Sequence, residues 1–119
     1  MRKDVITVTT SAGGAATVYS NIQTGAILTL IYTKVDFTNG VDFTITTDIT
    51  ARTVWTQSNV DAAAWVNPRD IIHSAAGAAQ VLGSAGWAPI YLVKERLKIV
   101  IAAGGAAKTG TFTLVVDDG

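Results

Sequence analysis

The sequence of 119 residues contains no cysteine, one histidine and one glutamate. Without cysteine the chain can form neither a disulfide framework nor a thiolate metal site. His73 alone cannot build a multi-histidine metal site. As a general base it would need a nucleophile or an orienting carboxylate, and Ser74 and Asp70 are near it only in sequence. A glycosidase needs a pair of carboxylates, but Glu95 lies in a charged run typical of a solvated or edge strand. We therefore expect no enzymatic activity and no cofactor.

An excess of charge of one sign is also missing, because nine basic residues balance nine acidic ones. A nucleic-acid-binding protein normally gathers a basic excess on one face, so we expect no nucleic-acid partner. No apolar run approaches the ~20 residues of a membrane-spanning helix, and the N-terminal residues lack the apolar segment of a signal peptide. We expect no membrane partner and no export, with synthesis in a cytoplasm.

What the chain does have is a large apolar share. Only 15% of its residues are charged and 49% are hydrophobic, with a mean hydropathy of +0.36. Abundant alanine, which is small and indifferent to exposure, is one explanation. The interpretation we favour is that part of the surface is buried against other chains.

Short runs of β-branched and aromatic residues recur along the chain, with turn residues between them. Such runs predict strands, and they cover residues 5–10, 15–20, 26–37, 41–49, 53–57, 88–93, 94–101 and 111–117. Seven or eight short strands joined mostly by tight turns predict an all-β fold, a single antiparallel β-sandwich or small barrel. We expect one domain over residues 1–119.

Two hairpins are predicted from the connections. The small residues 102–110 join the runs 94–101 and 111–117, which favours a closing hairpin. Asn39-Gly40 is the strongest short hairpin signal and predicts that the run 41–49 lies beside the run 26–37. The run 41–49 alternates, and its expected buried side carries Val41, Phe43, Ile45 and Thr47.

Residues 26–32 are apolar on both faces of the predicted strand. Alternation places Ile27 and Ile31 on one face and Leu28 and Leu30 on the other. A strand with one wet face alternates between apolar and polar residues, so a second sheet, a loop or a partner subunit is expected to cover the other face. Leu28 and Leu30 are therefore candidates for a contact between chains.

Residues 58–87 form a long excursion rich in small residues, and its alanine-rich run 71–82 favours one helical turn. Loops this long in compact domains usually carry function or contacts. The three tryptophans could cover the open end of the core, anchor a protein interface or stack on sugars. The candidate protein-interface residues are Trp55, Trp65, Arg69, Trp87, Tyr91, Leu28 and Leu30.

Two motifs imitate known sites. The segment 104–109 resembles a phosphate-binding loop, but that motif needs glycine where Ala107 stands and a helix where a strand is predicted. Asp36, Asp42 and Asp48 lack the spacing of a calcium loop and are expected on the solvent face of their strands. We expect no metal site at either place.

Several segments carry a further likeness: Trp-Val-Asn-Pro-Arg at 65–69, His-Ser-Ala-Ala-Gly at 73–77, Pro-Ile-Tyr-Leu at 89–92, Glu-Arg-Leu-Lys-Ile at 95–99, and the segments 35–43 and 104–111. Together they resemble a group of small β-rich structural proteins of tailed-bacteriophage virions. The resemblance implies a rigid β body without an active site, with apolar surface for self-association and capsid contact.

The resemblance further implies a capsid decoration, or cement, protein that binds and stabilises the major capsid lattice. Such proteins often form homotrimers at threefold points, and this chain would be part of a virion assembled in the host cytoplasm. One alternative is a head–tail or tail structural component. The other is a carbohydrate-binding module of a tail appendage, for which the candidate residues are Trp65, Trp87 and Tyr91.

Overall fold

A computed structural model of the chain describes residues 1–73, 76–77, 79–80 and 87–118. These residues form the strands β1 (Arg2–Thr9), β2 (Ala16–Tyr19), β3 (Gln23–Lys34), β4 (Val41–Thr47), β5 (Thr53–Val60), β6 (Ala64–Val66), β7 (Arg69–His73), β8 (Ala79–Gln80), β9 (Trp87–Pro89), β10 (Tyr91–Glu95), β11 (Leu97–Ala102) and β12 (Thr109–Asp117). They contain no helix, and so none that could cross a membrane. The prediction of an all-β fold is confirmed.

The strands form two main antiparallel sheets and a small third one. In the first sheet, β12 lies between β1 and β3, and the other edge of β3 pairs with both β10 and β6. The second sheet has the order β2-β11-β4-β5, and the third has the order β8-β7-β9. The curled sheets give the sandwich or small barrel that the sequence predicts.

The core lies between the two main sheets and is built from alternate residues of their strands. The buried side of β4 is the predicted one, formed by Val41, Phe43, Ile45 and Thr47. Aromatic rings fill the centre: the ring centroid of Phe43 lies 5.4 Å from that of Tyr32 and 5.2 Å from that of Phe112. The Tyr32 hydroxyl is buried without a hydrogen-bond partner among the described residues, and burial raises the pKa of Tyr32.

The pairing of the strands differs from the predicted hairpins. β11 belongs to the second sheet and β12 to the first, so these two strands do not pair with each other. β3 and β4 are likewise in different sheets. Both hairpin predictions were wrong, because alternation indicates which side of a strand is buried but not which strand lies beside it. These connections arch from one sheet to the other.

Phe37 explains the arch between β3 and β4. Its ring is buried between the sheets, with its centroid 6.2 Å from that of the Tyr32 ring. It also packs directly over Gly110, where any Cβ atom would collide with the ring. Because the Phe37 side chain is held in the core, the connection between β3 and β4 must pass over the end of the sandwich. A tight hairpin turn would leave this side chain outside the sheets.

The arches at this end of the sandwich are hydrogen-bonded to one another. The Thr10 hydroxyl donates to the Gly105 carbonyl at 2.6 Å and accepts from the Lys108 N–H at 2.9 Å. The Gly104 N–H donates to the Gly14 carbonyl at 2.9 Å. The glycine-rich connection is thus fixed by its neighbours, and a strand follows it as predicted, where a phosphate-binding loop would need a helix.

A β-bulge accounts for the two apolar faces of residues 26–32. In the pairing of β3 with β12, Leu28 is left over as an extra residue. A bulge shifts the alternation by one residue, so Ile27 before it and Leu30 after it both point into the core. The prediction that Ile27 and Ile31 share a face was wrong, and Leu30 is covered by its own chain.

The excursion 58–87 is largely β structure where it is described. β5 extends to Val60, and β6, β7, β8 and β9 follow. The helical turn predicted in the run 71–82 was wrong at residues 71–73 and 79–80, because they belong to β7 and β8. The other residues of the run lie outside the described residues, apart from the turn at 76–77.

Candidate functional site

Two of the predicted interface residues lie in the core. Leu30 is fully buried. The Trp55 ring stands edge-on to Phe43 with centroids 4.7 Å apart, and its Nε1 donates to Gln57 Oε1 at 3.0 Å. Neither side chain is accessible to another chain, so the structure does not support Leu30 or Trp55 as contact residues.

The other predicted interface residues are spread along the first sheet and the excursion. Leu28 is half-buried at the bulge, and Arg69 is exposed at the start of β7. Trp65 on β6 and Tyr91 on β10 are both exposed. Trp87 lies in β9, and its side chain lies outside the part of the chain that the structure describes. The structure therefore does not bring the seven predicted residues together in one site.

A buried carboxylate joins the two main sheets at one end of the molecule. Glu95, at the end of β10, is 4% exposed, so the solvated position predicted for it was wrong. Its Oε1 accepts hydrogen bonds from the N–H groups of Ile49 and Thr50, both at 2.7 Å, and the Thr50 hydroxyl lies 3.2 Å away. This Glu95 clamp fixes the turn between β4 and β5 against β10, since successive N–H groups form a cradle for an anionic oxygen.

The local backbone turns Glu95 inward. Leu92 is buried, so regular alternation would bury Lys94 and expose Glu95. Instead, Lys94 has a positive φ of 47°, its N–H donates to Thr24 Oγ1 at 3.0 Å, and the register with β3 shifts between Leu92 and Glu95. An irregularity of this kind redirects the side chains that follow it.

The surroundings of Glu95 favour its charged form. Burial raises the pKa of this carboxyl, but the hydrogen bonds from Thr50 and Ile49 and the positive charge of Arg52 outweigh burial, so its pKa lies below the ordinary value. Arg52 also holds the opposite strand, because its Nη2 donates to the Tyr91 carbonyl at 2.6 Å. Side chains thus connect the turn to β10 where the two sheets share no backbone ladder.

Four large apolar side chains are exposed around the Glu95 clamp. Ile49 belongs to the clamped turn and is 76% exposed, and Val93, two residues before Glu95, is 73% exposed. Tyr19 and Ile22 flank the connection between β2 and β3, which reaches the same end because β3 begins opposite Glu95. We call Tyr19, Ile22, Ile49 and Val93 the apolar end.

Arg96 orders one side of the apolar end. Its Nε lies 2.9 Å from Asp48 Oδ2, and its guanidinium carbon lies 4.0 Å from the centroid of the Tyr19 ring. A cation over an aromatic face is an attractive arrangement, so the ring and the guanidinium restrain each other. Side chains that are already restrained lose less conformational entropy when a partner covers them.

A second exposed surface covers the outside of the first sheet. The central row runs across four strands and consists of Val5, Thr113, Ile31 and Trp65. One neighbouring row contains Thr7, Thr111 and Thr33, and the other contains Lys3, Val115 and Thr29. Trp65 points outward, because its neighbours Ala64 and Val66 pack against the core, and it is 67% exposed. We call these three rows the Trp65 face.

The Trp65 face is polar almost without charge. Lys3, at one corner, is the only charged residue of the three rows. Thr29 donates its hydroxyl to the Val66 carbonyl at 3.0 Å. The hydroxyls of Thr7, Thr33, Thr111 and Thr113 make no hydrogen bond to any residue that the structure describes. They can therefore bond to water or to a ligand beside the exposed tryptophan.

The described residues form no metal-binding cluster. Asp36 accepts from the Thr109 N–H at 2.5 Å and Asp42 from the Asn59 N–H at 2.8 Å, so each carboxylate ties its segment to a neighbouring one. Neither a pocket nor a group of three potential metal ligands is found within the described ranges. His73 lies in β7, and its side chain is outside what the structure describes. The candidate sites are thus the apolar end and the Trp65 face.

No protein-family model matches this chain, and no curated protein sequence is significantly similar to it. The function is therefore argued from the two surfaces. The sequence analysis selected Trp65 but none of the four residues of the apolar end. The sequence feature that could have identified them is a large apolar side chain at a turn, as at Ile22 and Ile49, because turns usually contain small and polar residues.

Proposed function

We propose that this protein is a non-enzymatic structural protein of a virion, a capsid decoration protein that forms a homotrimer and binds the major capsid lattice. The apolar end is the observation that carries the proposal, because several large apolar side chains exposed at one end of the molecule favour a contact site there. The resemblance of several sequence segments to small virion proteins supports the same assignment.

We assign the apolar end to contacts between copies of this chain. In a cyclic trimer the copies meet around a single axis. A charge that this contact buries is costly unless it is paired. Two cations beside the apolar end have partners within their own chain: Arg96 pairs with Asp48, and Arg52 bonds to the Tyr91 carbonyl. Burial of Val93 and Ile49 between copies would therefore strand neither of these cations.

The trimer would bind the capsid through several copies at once. When one copy is bound, the others are held at a high effective concentration beside their own sites. The trimer would thereby add buried area across the joints between neighbouring capsid subunits, which internal pressure tends to open. A rigid β body suits this task, since a flexible one would lose more entropy on binding.

Co-sedimentation with empty capsids tests this function, using capsids assembled from the major capsid protein encoded in the same genome. The double variant Val93→Ser/Ile49→Ser is compared with Val35→Ser, a matched control because Val35 is an exposed valine at the opposite end. We expect the wild type and Val35→Ser to sediment with capsids. The double variant should bind at least ~100-fold more weakly, because it loses the avidity of the trimer.

Two results would contradict the assignment. Equal capsid binding by all three proteins would show that the apolar end has no part in assembly. A wild type that ignores capsids but sediments with isolated tails would replace decoration by the tail-component alternative.

A further inference from the structure

Trp65 and Tyr91 expose aromatic rings on the same side of the first sheet. Trp65 pairs with Ile31 and Tyr91 with Ala26, both along one edge of β3. At ~3.3 Å per residue the two aromatic positions are about 15 Å apart. Tyr91 is 56% exposed and its neighbour Leu92 is buried, so Tyr91 points outward like Trp65.

We propose that this side of the sheet binds a neutral glycan chain, with Trp65 as the main stacking residue and Tyr91 as a second one. The face of an aromatic ring carries negative potential and attracts the electron-poor C–H groups of a sugar ring. Hydroxyls both donate and accept hydrogen bonds, so Thr33 and Thr113 can pair with sugar hydroxyls beside the ring. Two aromatic rings about 15 Å apart suit an extended chain better than a single sugar.

The charge of the surface determines the class of glycan. An acidic glycan or a nucleic acid would need several cations to neutralise its anionic groups. The three rows of the Trp65 face contain one cation, Lys3, at the corner away from Trp65. Arg52, beside Tyr91, already donates to the Tyr91 carbonyl. A neutral glycan requires no such neutralisation and can use the uncharged threonines.

The size of the surface argues against a protein partner. The three rows span four strands about 4.8 Å apart and about five residues along each strand, which covers roughly 300 Å². A specific protein interface takes about 800 Å² from each partner. The Trp65 face falls short of that area, while a narrow glycan chain needs to cover only part of it.

This inference goes beyond the proposed assembly role and depends on different residues. The apolar end carries self-association, and Trp65 pairs with Ile31, eight residues along β3 from Gln23, which lies opposite Glu95. A trimer without glycan binding and a glycan-binding monomer are therefore distinguishable results.

A titration followed by NMR tests the inference on the ¹⁵N-labelled full chain. The probes are neutral hexasaccharides, namely cellohexaose, xylohexaose, mannohexaose, maltohexaose and chitohexaose. Each indole N–H gives its own signal, and Trp65→Phe assigns that of Trp65. With at least one probe we expect the Trp65 indole and the amides of Ile31 and Thr113 to shift, with a dissociation constant on the order of 1 mM.

Variants separate stacking from hydrogen bonding. Trp65→Ala should weaken binding at least ~10-fold, as truncation of a central aromatic contact does. Thr113→Val keeps the β-branched shape and should weaken binding a few-fold through loss of the hydroxyl. Thr17→Val, at an exposed threonine on the second sheet that belongs to neither surface, should leave binding unchanged.

The inference would be overturned if no probe shifted these signals at sugar concentrations well above the expected dissociation constant. It would also be overturned by shifts confined to the apolar end. Shifts of Trp65 on dilution of the protein without sugar would assign the face to a second copy of the chain instead.

Discussion

At the scale of single residues, Glu95 ties the turn between β4 and β5 to β10. It is the only charged residue that is buried among those described. A carboxylate in such a position needs hydrogen bonds to compensate for its lost hydration. Ile49 and Thr50 supply them, and the turn that carries Ile49 becomes part of the apolar end.

Glu95→Gln should lower the free energy of unfolding at pH 7 by about 2 kcal/mol, because it replaces charge-assisted hydrogen bonds by neutral ones and turns an amide donor toward N–H groups. Urea unfolding measures the change. The matched control is Asp48→Asn, which removes a more exposed ion pair with Arg96 and should cost less than about 1 kcal/mol.

The effect of Glu95 should depend on pH in a defined direction. Its folded-state pKa lies below the unfolded value of about 4.3. The stabilisation is therefore fully present above the unfolded pKa and is lost as the pH falls through the folded pKa. The difference between wild type and Glu95→Gln should be constant from neutral to mildly acidic pH and smaller at about pH 3. An equal difference at both pH values would contradict the clamp.

At the scale of elements, the paths of the connections and the pairing of the strands were the hardest features to predict from the sequence. The positions of most strands and the buried side of β4 could be predicted, because both follow from local composition and alternation. Partners could not, since an arch and a hairpin can have the same flanking strands. The bulges at Leu28 and Lys94 were not predicted either. Each moves the following side chains to the other side of the strand, and in the sequence this is visible only as an irregular apolar pattern.

Gly110→Ala tests the arch that places Phe37 in the core. A Cβ atom at this position would collide with the Phe37 ring, which is enclosed between the sheets beside Tyr32. We expect a loss of about 1–3 kcal/mol of unfolding free energy, the usual cost of overpacking a core. Urea unfolding of purified variants measures it.

A matched glycine serves as the control for Gly110. A Cβ atom at Gly13 would meet only the Ser11 hydroxyl at 3.8 Å, so Gly13→Ala should change stability by less than about 0.5 kcal/mol. Combining Gly110→Ala with Phe37→Leu should cost less than the sum of the two single changes, since the pair is in contact. Full additivity would contradict a contact between these residues.

At the scale of the whole molecule, a chain with zero net charge and a high apolar share has two different exposed surfaces, the apolar end and the Trp65 face. Trp65 and Tyr91 could be selected from the sequence because large aromatic residues are the usual anchors of a contact site. The apolar end could not, because its residues come from two strands and two connections that are brought to one end only by the folded arrangement of the sheets. Trp55 and Leu30 were misplaced on the surface, since a sequence does not show which apolar side chains the core has room to bury.

The oligomeric state in solution tests the central claim most directly. Size-exclusion chromatography with light scattering at micromolar concentration should give the wild type and Val35→Ser a mass of about three times the 12.4 kDa of one chain. Val93→Ser/Ile49→Ser should give the mass of one chain while keeping its circular dichroism spectrum. A monomeric wild type, or a trimer that the double variant leaves intact, would contradict the assignment of the apolar end to contacts between copies.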